Sequence, residues 1–138
     1  MIHLHLLSVT TLVVSLCFPI AALAATPPMS DEQLEARADL IITGKVYVVE
    51  KDGEVIMDHC YMWQSWSAIF AVDDTIKGKV RKTVTIRYNE RIGDADPSHR
   101  CVGGDDSFSL QAGKRYKLYL RTEGDEARPF HRNGVKPL

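Results

Sequence analysis

The sequence predicts an all-β domain, a small five-stranded antiparallel barrel with a short N-terminal helix. Three observations carry that expectation. Apolar and polar side chains alternate at a period of two in several segments after Asp39. Turn-forming stretches with glycine, such as Lys51-Asp52-Gly53-Glu54, Gly78-Lys79 and Gln111-Ala112-Gly113, stand between those segments. No stretch after them keeps a long helical period, so strands must bury one face against one another. Closing the sheet into a barrel hides its edges, and an open sandwich is the alternative.

The elements follow in order from the start of the chain. Leu6 to Ile20 is an almost unbroken apolar run, shorter than the roughly 20 residues of a membrane-spanning helix and suited to a secretory leader. Ala22-Leu23-Ala24 places small residues where a signal peptidase reads them, so residues 1–24 are expected to be removed and 25–138 to form one domain. The leading Met1-Ile2-His3-Leu4-His5 lacks lysine and arginine, which departs from the usual leader. Cys17 follows Leu16 rather than a small residue, against a lipid anchor. The expected location is periplasmic or secreted.

Ser30 with Gln33 forms a capping box, and Asp31 and Glu32 suit the positive end of a helix dipole, predicting a helix from Asp31 to Ala38. Leu40, Ile42, Val46 and Val48 share one face of a first strand, with a bulge or bend expected at Gly44. Trp66, Ala68, Phe70 and Val72 define a second strand ending near Asp73. Val84, Ile86 and Tyr88 define a third, and Tyr116, Leu118 and Leu120 a late one, with Phe108 and Leu110 in a short strand between.

Composition excludes several classes. The chain is 45% hydrophobic and 25% charged, as in ordinary globular domains, with no repeat. Its formal net charge of -1 argues against nonspecific binding to nucleic acid or a membrane surface, which needs a positive excess.

Several stretches resemble a known family. Ala38-Asp39-Leu40-Ile41-Ile42-Thr43-Gly44-Lys45-Val46, then Phe70-Ala71-Val72 running into Thr75-Ile76-Lys77-Gly78, then Cys101 followed by Gly103, and finally Gly113-Lys114-Arg115-Tyr116-Lys117-Leu118-Tyr119-Leu120 occur in that order. The chain thus resembles, from Asp39 to Arg121, secreted bacterial proteins related to the netrin-like or TIMP-like domain of the tissue inhibitors of metalloproteinases. The resemblance implies an OB-type barrel. In the animal inhibitors an amino-terminal cysteine chelates the protease zinc; the corresponding Ala25-Thr26-Pro27-Pro28 has no cysteine, so that route is not expected here.

Loss of Cys17 with the leader leaves Cys60 and Cys101, an even pair in an oxidising compartment, and a disulfide is expected. The rival is a zinc site from His59, Cys60, His99 and Cys101, disfavoured because adjacent residues in an extended chain point to opposite sides. Asp94, Asp96, His99, Asp105 and Asp106 could hold a cation in the 94–106 loop, but a solvated turn rich in aspartate and glycine accounts for them. Asp73-Asp74 reads as a solvated strand end. Ser65, Ser67 and His59 lack the glycines of a nucleophile elbow.

Two surfaces remain as candidates for binding. Arg115, Lys117, Tyr119 and Arg121 alternate on the outward face of the late strand as a basic stripe that Arg87 could extend. Tyr61, Met62 and Trp63 form an aromatic cluster beside Cys60. The expected function is a noncatalytic exported binding or inhibitory module, without metal or cofactor, whose partner is another exported protein or an anionic polymer. The alternative is a small metal-binding protein or enzyme using the 94–106 loop and the histidines.

Overall fold

The computed structural model describes residues 27–98, 101 and 107–138. Helix α1 (Asp31–Arg37) leads into strands β1 (Leu40–Lys51), β2 (Ile56–Met57), β3 (Tyr61–Lys77), β4 (Thr83–Asp94), β5 (Arg115–Glu123), β6 (Glu126–Pro129) and β7 (Val135–Pro137). All seven strands belong to one sheet. The capping box at α1 is complete, with Ser30 Oγ accepting from the Gln33 amide and Gln33 Oε1 accepting from the Ser30 amide.

β1 pairs with both β3 and β5; β3 pairs with β4, β4 with β6, and β6 with β5. The series of hydrogen-bonded neighbours therefore returns to β1. Inside lie Leu40, Ile42, Val46, Ala68, Phe70, Ile86, Leu118 and Leu120, all buried, as the alternation of period two predicts. Val48, expected on the same face of β1, is instead 39% exposed, because the register of β1 against β3 shifts between Val46 and Val48. Gly44 sits at a register shift in β1, and a Cβ there would lie 1.9 Å from the Ala71 carbonyl oxygen. Only a glycine lets the two backbones approach so closely.

The structure corrects the expected architecture in several respects. Among the described residues there are seven strands rather than five, because the short β2, β6 and β7 are added while the expected Phe108–Leu110 strand does not form. The β4–β6 pairing is parallel, with Thr85 opposite Glu126 and Ile86 opposite Ala127, so the sheet is not wholly antiparallel. β3 runs on to Lys77 instead of ending near Asp73. Phe108 and Leu110 are buried in the core without forming a strand.

A smaller apolar cluster lies on the other side of β5. Leu34 and Ala38 from the α1 region pack with Ile41 and Tyr119, and Met29 and Phe130 cover the edge. One short helix thus buries a sheet face that would otherwise be solvated.

Candidate binding groove

Residues of β3 and β4 that point away from the core meet across the strand pair. Trp63 is opposite Arg91, Ser65 opposite Asn89, and Ser67 opposite Arg87. The serines are short and leave a depression between longer neighbours. Ser65 donates its hydroxyl to Asn89 Oδ1 at 2.8 Å, so the depression has a fixed polar floor.

Arg87 is held by two carboxylates, Asp52 at 3.1 Å and Glu126 at 2.7 Å, and Arg128 by Glu123 at 3.1 Å. Between these arginines and Trp63 runs a groove of about 400 Å³, whose apolar lining includes Ile56, Phe108 and Phe130. A polar hollow of about 120 Å³, lined by Asp52 and Ser65, shares Arg87, Asn89 and Arg128 with it. The combination of apolar walls with a few oriented polar groups is the usual chemistry of a recognition site.

The Trp63 end of the groove is rigidly built. Trp63 donates its indole N–H to Asp58 Oδ2 at 2.8 Å, and its ring meets Tyr61 edge to face with centroids 5.9 Å apart. The Arg91 guanidinium lies 4.0 Å from the Tyr61 ring centroid. Asp58 Oδ1 accepts from the amides of Tyr61 at 2.6 Å and Cys60 at 2.7 Å. The Tyr61 amide, followed by the Trp63 indole and the Cys60 amide, holds the Asp58 carboxyl below the usual aspartate range. Cys60 and Cys101 form a disulfide with Cα atoms 5.7 Å apart. Tyr61 donates its hydroxyl to the Cys101 carbonyl at 3.3 Å.

That disulfide decides the opposed readings of the cysteines. Ligand atoms of Asp58, His59 and Cys60 lie within 4.8 Å of one another, but the Cys60 sulfur is covalently spent and the Asp58 oxygens are occupied. The zinc reading of His59, Cys60, His99 and Cys101 therefore has no thiolate to offer. His99, Asp105 and Asp106 lie outside the described residues. Asp94 pairs with Arg91 at 3.3 Å. Asp96 accepts from the Ser98 hydroxyl at 2.6 Å and the Ser98 amide at 2.9 Å, and these bonds lower its pKa, the hydroxyl most.

The basic stripe on β5 is interrupted. Tyr119 is fully buried beneath Leu34 and Ala38, so it is unavailable to a partner, and the expectation that it faces outward is corrected. Alternation identified its face correctly, but α1 covers that face. Arg115 is paired with Asp73 at 2.5 Å, and Arg121 lies over Phe130 with 5.2 Å to the ring centroid. The Lys117 ammonium is 5.1 Å from the Tyr119 centroid.

Of the residues singled out in the sequence, Arg87 and Trp63 meet at the groove, with Tyr61 packed edge to face against Trp63. Ile56, Asn89, Phe108, Arg128 and Phe130 were not anticipated. They come from four places in the chain, and no local pattern links them.

Among the described residues no helix is long and apolar enough to cross a membrane. Comparison of the chain with protein-family models, curated proteins and solved structures finds no match.

Proposed function

We propose that the protein is an exported, noncatalytic binding or inhibitory module on a small OB-type barrel, and that it receives an apolar segment of another exported protein in the β3–β4 groove. The return of strand pairing to β1 supports the barrel reading. The leader sequence and the disulfide support export. The observation that carries the binding function is the groove itself, with Ile56 and Trp63 as apolar contacts and Arg87 and Arg128 as orienting groups.

The internal charge balance also favours a protein segment over an anionic polymer at this place. Arg87 and Arg128 already hold carboxylates, so the groove has little unspent positive charge. Affinity must come mainly from apolar burial, with polar groups setting orientation. The Ser65 hydroxyl is directed to Asn89 and not to a histidine, which leaves it without an activating base.

The test is capture from the exported fraction of the source cells on immobilised protein. A partner retained by wild type and by an Arg115, Lys117, Arg121 triple alanine variant, but lost with Trp63→Ala and Arg128→Ala, is the expected result. Loss only in the triple variant would return the function to β5.

A further inference from the structure

A second cavity lies away from the groove, where the β3–β4 turn meets the β5–β6 turn. It encloses about 530 Å³ and is lined by Lys79, Arg81, Thr83, Thr122 and Asp125, among others. Residues 75–82, Thr-Ile-Lys-Gly-Lys-Val-Arg-Lys, hold four cations and no acid. The net charge of -1 therefore averages over a chain in which positive charge is locally concentrated.

Several cations elsewhere among the described residues are neutralised by a carboxylate, though not all of them. Arg87, Arg91, Arg115, Arg128 and Lys136 each hold a carboxylate. Lys77 donates to the Glu35 carbonyl at 2.7 Å. Lys79, Arg81 and Lys82 form no ion pair among the described residues. Their turn is also seated firmly: Gly78 has φ of 86°, and a Cβ there would lie 2.5 Å from the Asp39 carbonyl oxygen. The unpaired charges thus stand on a turn packed against the start of β1.

The lining specifies the ligand more closely. Glu126 also lines the cavity, but its charge is taken by Arg87. Asp125 remains as the unpaired carboxylate beside the threonine hydroxyls. Among the described residues no aromatic ring lines the cavity, whereas single-stranded nucleic acid is held by stacking platforms. Two cations with a carboxylate and hydroxyls suit a phosphodiester that carries its own hydroxyl groups. The phosphate would engage Lys79 and Arg81, and its hydroxyls would donate to Asp125. Next to Lys77, Ile76 is 51% exposed, an apolar side chain at the edge of the cationic turn.

We propose that this turn docks the protein on an anionic lipid surface, with a phosphatidylglycerol-type headgroup in the cavity and Ile76 entering the headgroup boundary. Attraction of local cations to anionic lipid together with limited apolar insertion is sufficient for reversible surface binding and leaves the barrel intact.

Sedimentation with phosphatidylcholine vesicles, with and without phosphatidylglycerol, tests the proposal. Binding should require phosphatidylglycerol, fall with added salt, and weaken about tenfold or more in a Lys79→Gln, Arg81→Gln, Lys82→Gln variant. Ile76→Ser should weaken it further, and the Arg115, Lys117, Arg121 triple variant should bind as wild type. All the altered residues in the turn are exposed, and circular dichroism checks that the variants fold. Equal binding to neutral vesicles, or undiminished binding by the turn variant, would overturn the proposal. Glycerophosphoglycerol shifting the Thr83 and Thr122 amide resonances without vesicle binding would also overturn it, in favour of a soluble phosphodiester. Retention on alginate alone would overturn it in favour of an anionic polysaccharide.

Discussion

Removing the disulfide with the pair Cys60→Ser and Cys101→Ser should destabilise the fold substantially. The bond joins residues separated by 41 positions and ties the turn before β3 to the segment after β4. For a loop of that size the chain-entropy relation gives about 13 cal/mol/K, or about 4 kcal/mol at room temperature. In a domain of this size each kcal/mol moves the melting temperature by about 4 °C, so a fall of about 15 °C is expected. Thermal unfolding followed by circular dichroism should show reduced wild type melting with the double variant, both well below oxidised protein. A fall of less than about 3 °C would refute the reasoning, because the unfolded chain would then gain little freedom on losing the bond.

Gly44→Ala should cost about 3 kcal/mol in urea unfolding, since the new methyl meets the Ala71 carbonyl oxygen and the Phe70 ring, unless β1 shifts away from β3. Burial pushes the Tyr88 phenol up to about 12 from 10.0. A raised folded-state pKa contributes stability that is present below pH 10 and lost as pH rises toward 12. Tyr88→Phe should therefore unfold less steeply than wild type across that window, and an unchanged slope would contradict the assignment. Asp58 has the opposite sign: its folded-state pKa lies below 3.8, so its contribution is present above that value and lost as pH falls through the lower one. Asp58→Ala should be less stable than wild type near neutrality, with the gap closing at low pH. Protein beginning at Ala25 should not inhibit zinc proteases tightly. Tight inhibition abolished by one residue added before Ala25 would show that an amine-chelating route survives.

The sequence was informative where a single physical constraint acted locally. The capping box of Ser30 and Gln33, the inward alternation of β1, β3, β4 and β5, and the bend at Gly44 each follow from neighbours within a few residues. β6 and β7 were not legible, because Glu126–Pro129 and Val135–Pro137 are too short to show a period and end in prolines that argue against strands. Tyr119 shows a different limit. Its alternation is that of an outward residue, yet Leu34, far earlier in the chain, covers it. The groove depends wholly on such distant encounters. Trp63, Asn89, Phe108 and Phe130 have no common motif, and only the pairing of β3 with β4 and the approach of β6 make them neighbours. The cationic turn was visible in sequence as Lys77, Lys79, Arg81 and Lys82, but whole-chain charge concealed it.

Site-directed photo-crosslinking in the source cells tests the central account most directly. A photoreactive residue at Ile56, on the lip of the groove and exposed, should yield a discrete adduct with one exported protein, and Trp63→Ala in the same chain should abolish it. The same residue placed at Lys117 should yield none. An adduct from Lys117 with none from Ile56 would contradict the account and place the contact surface on β5.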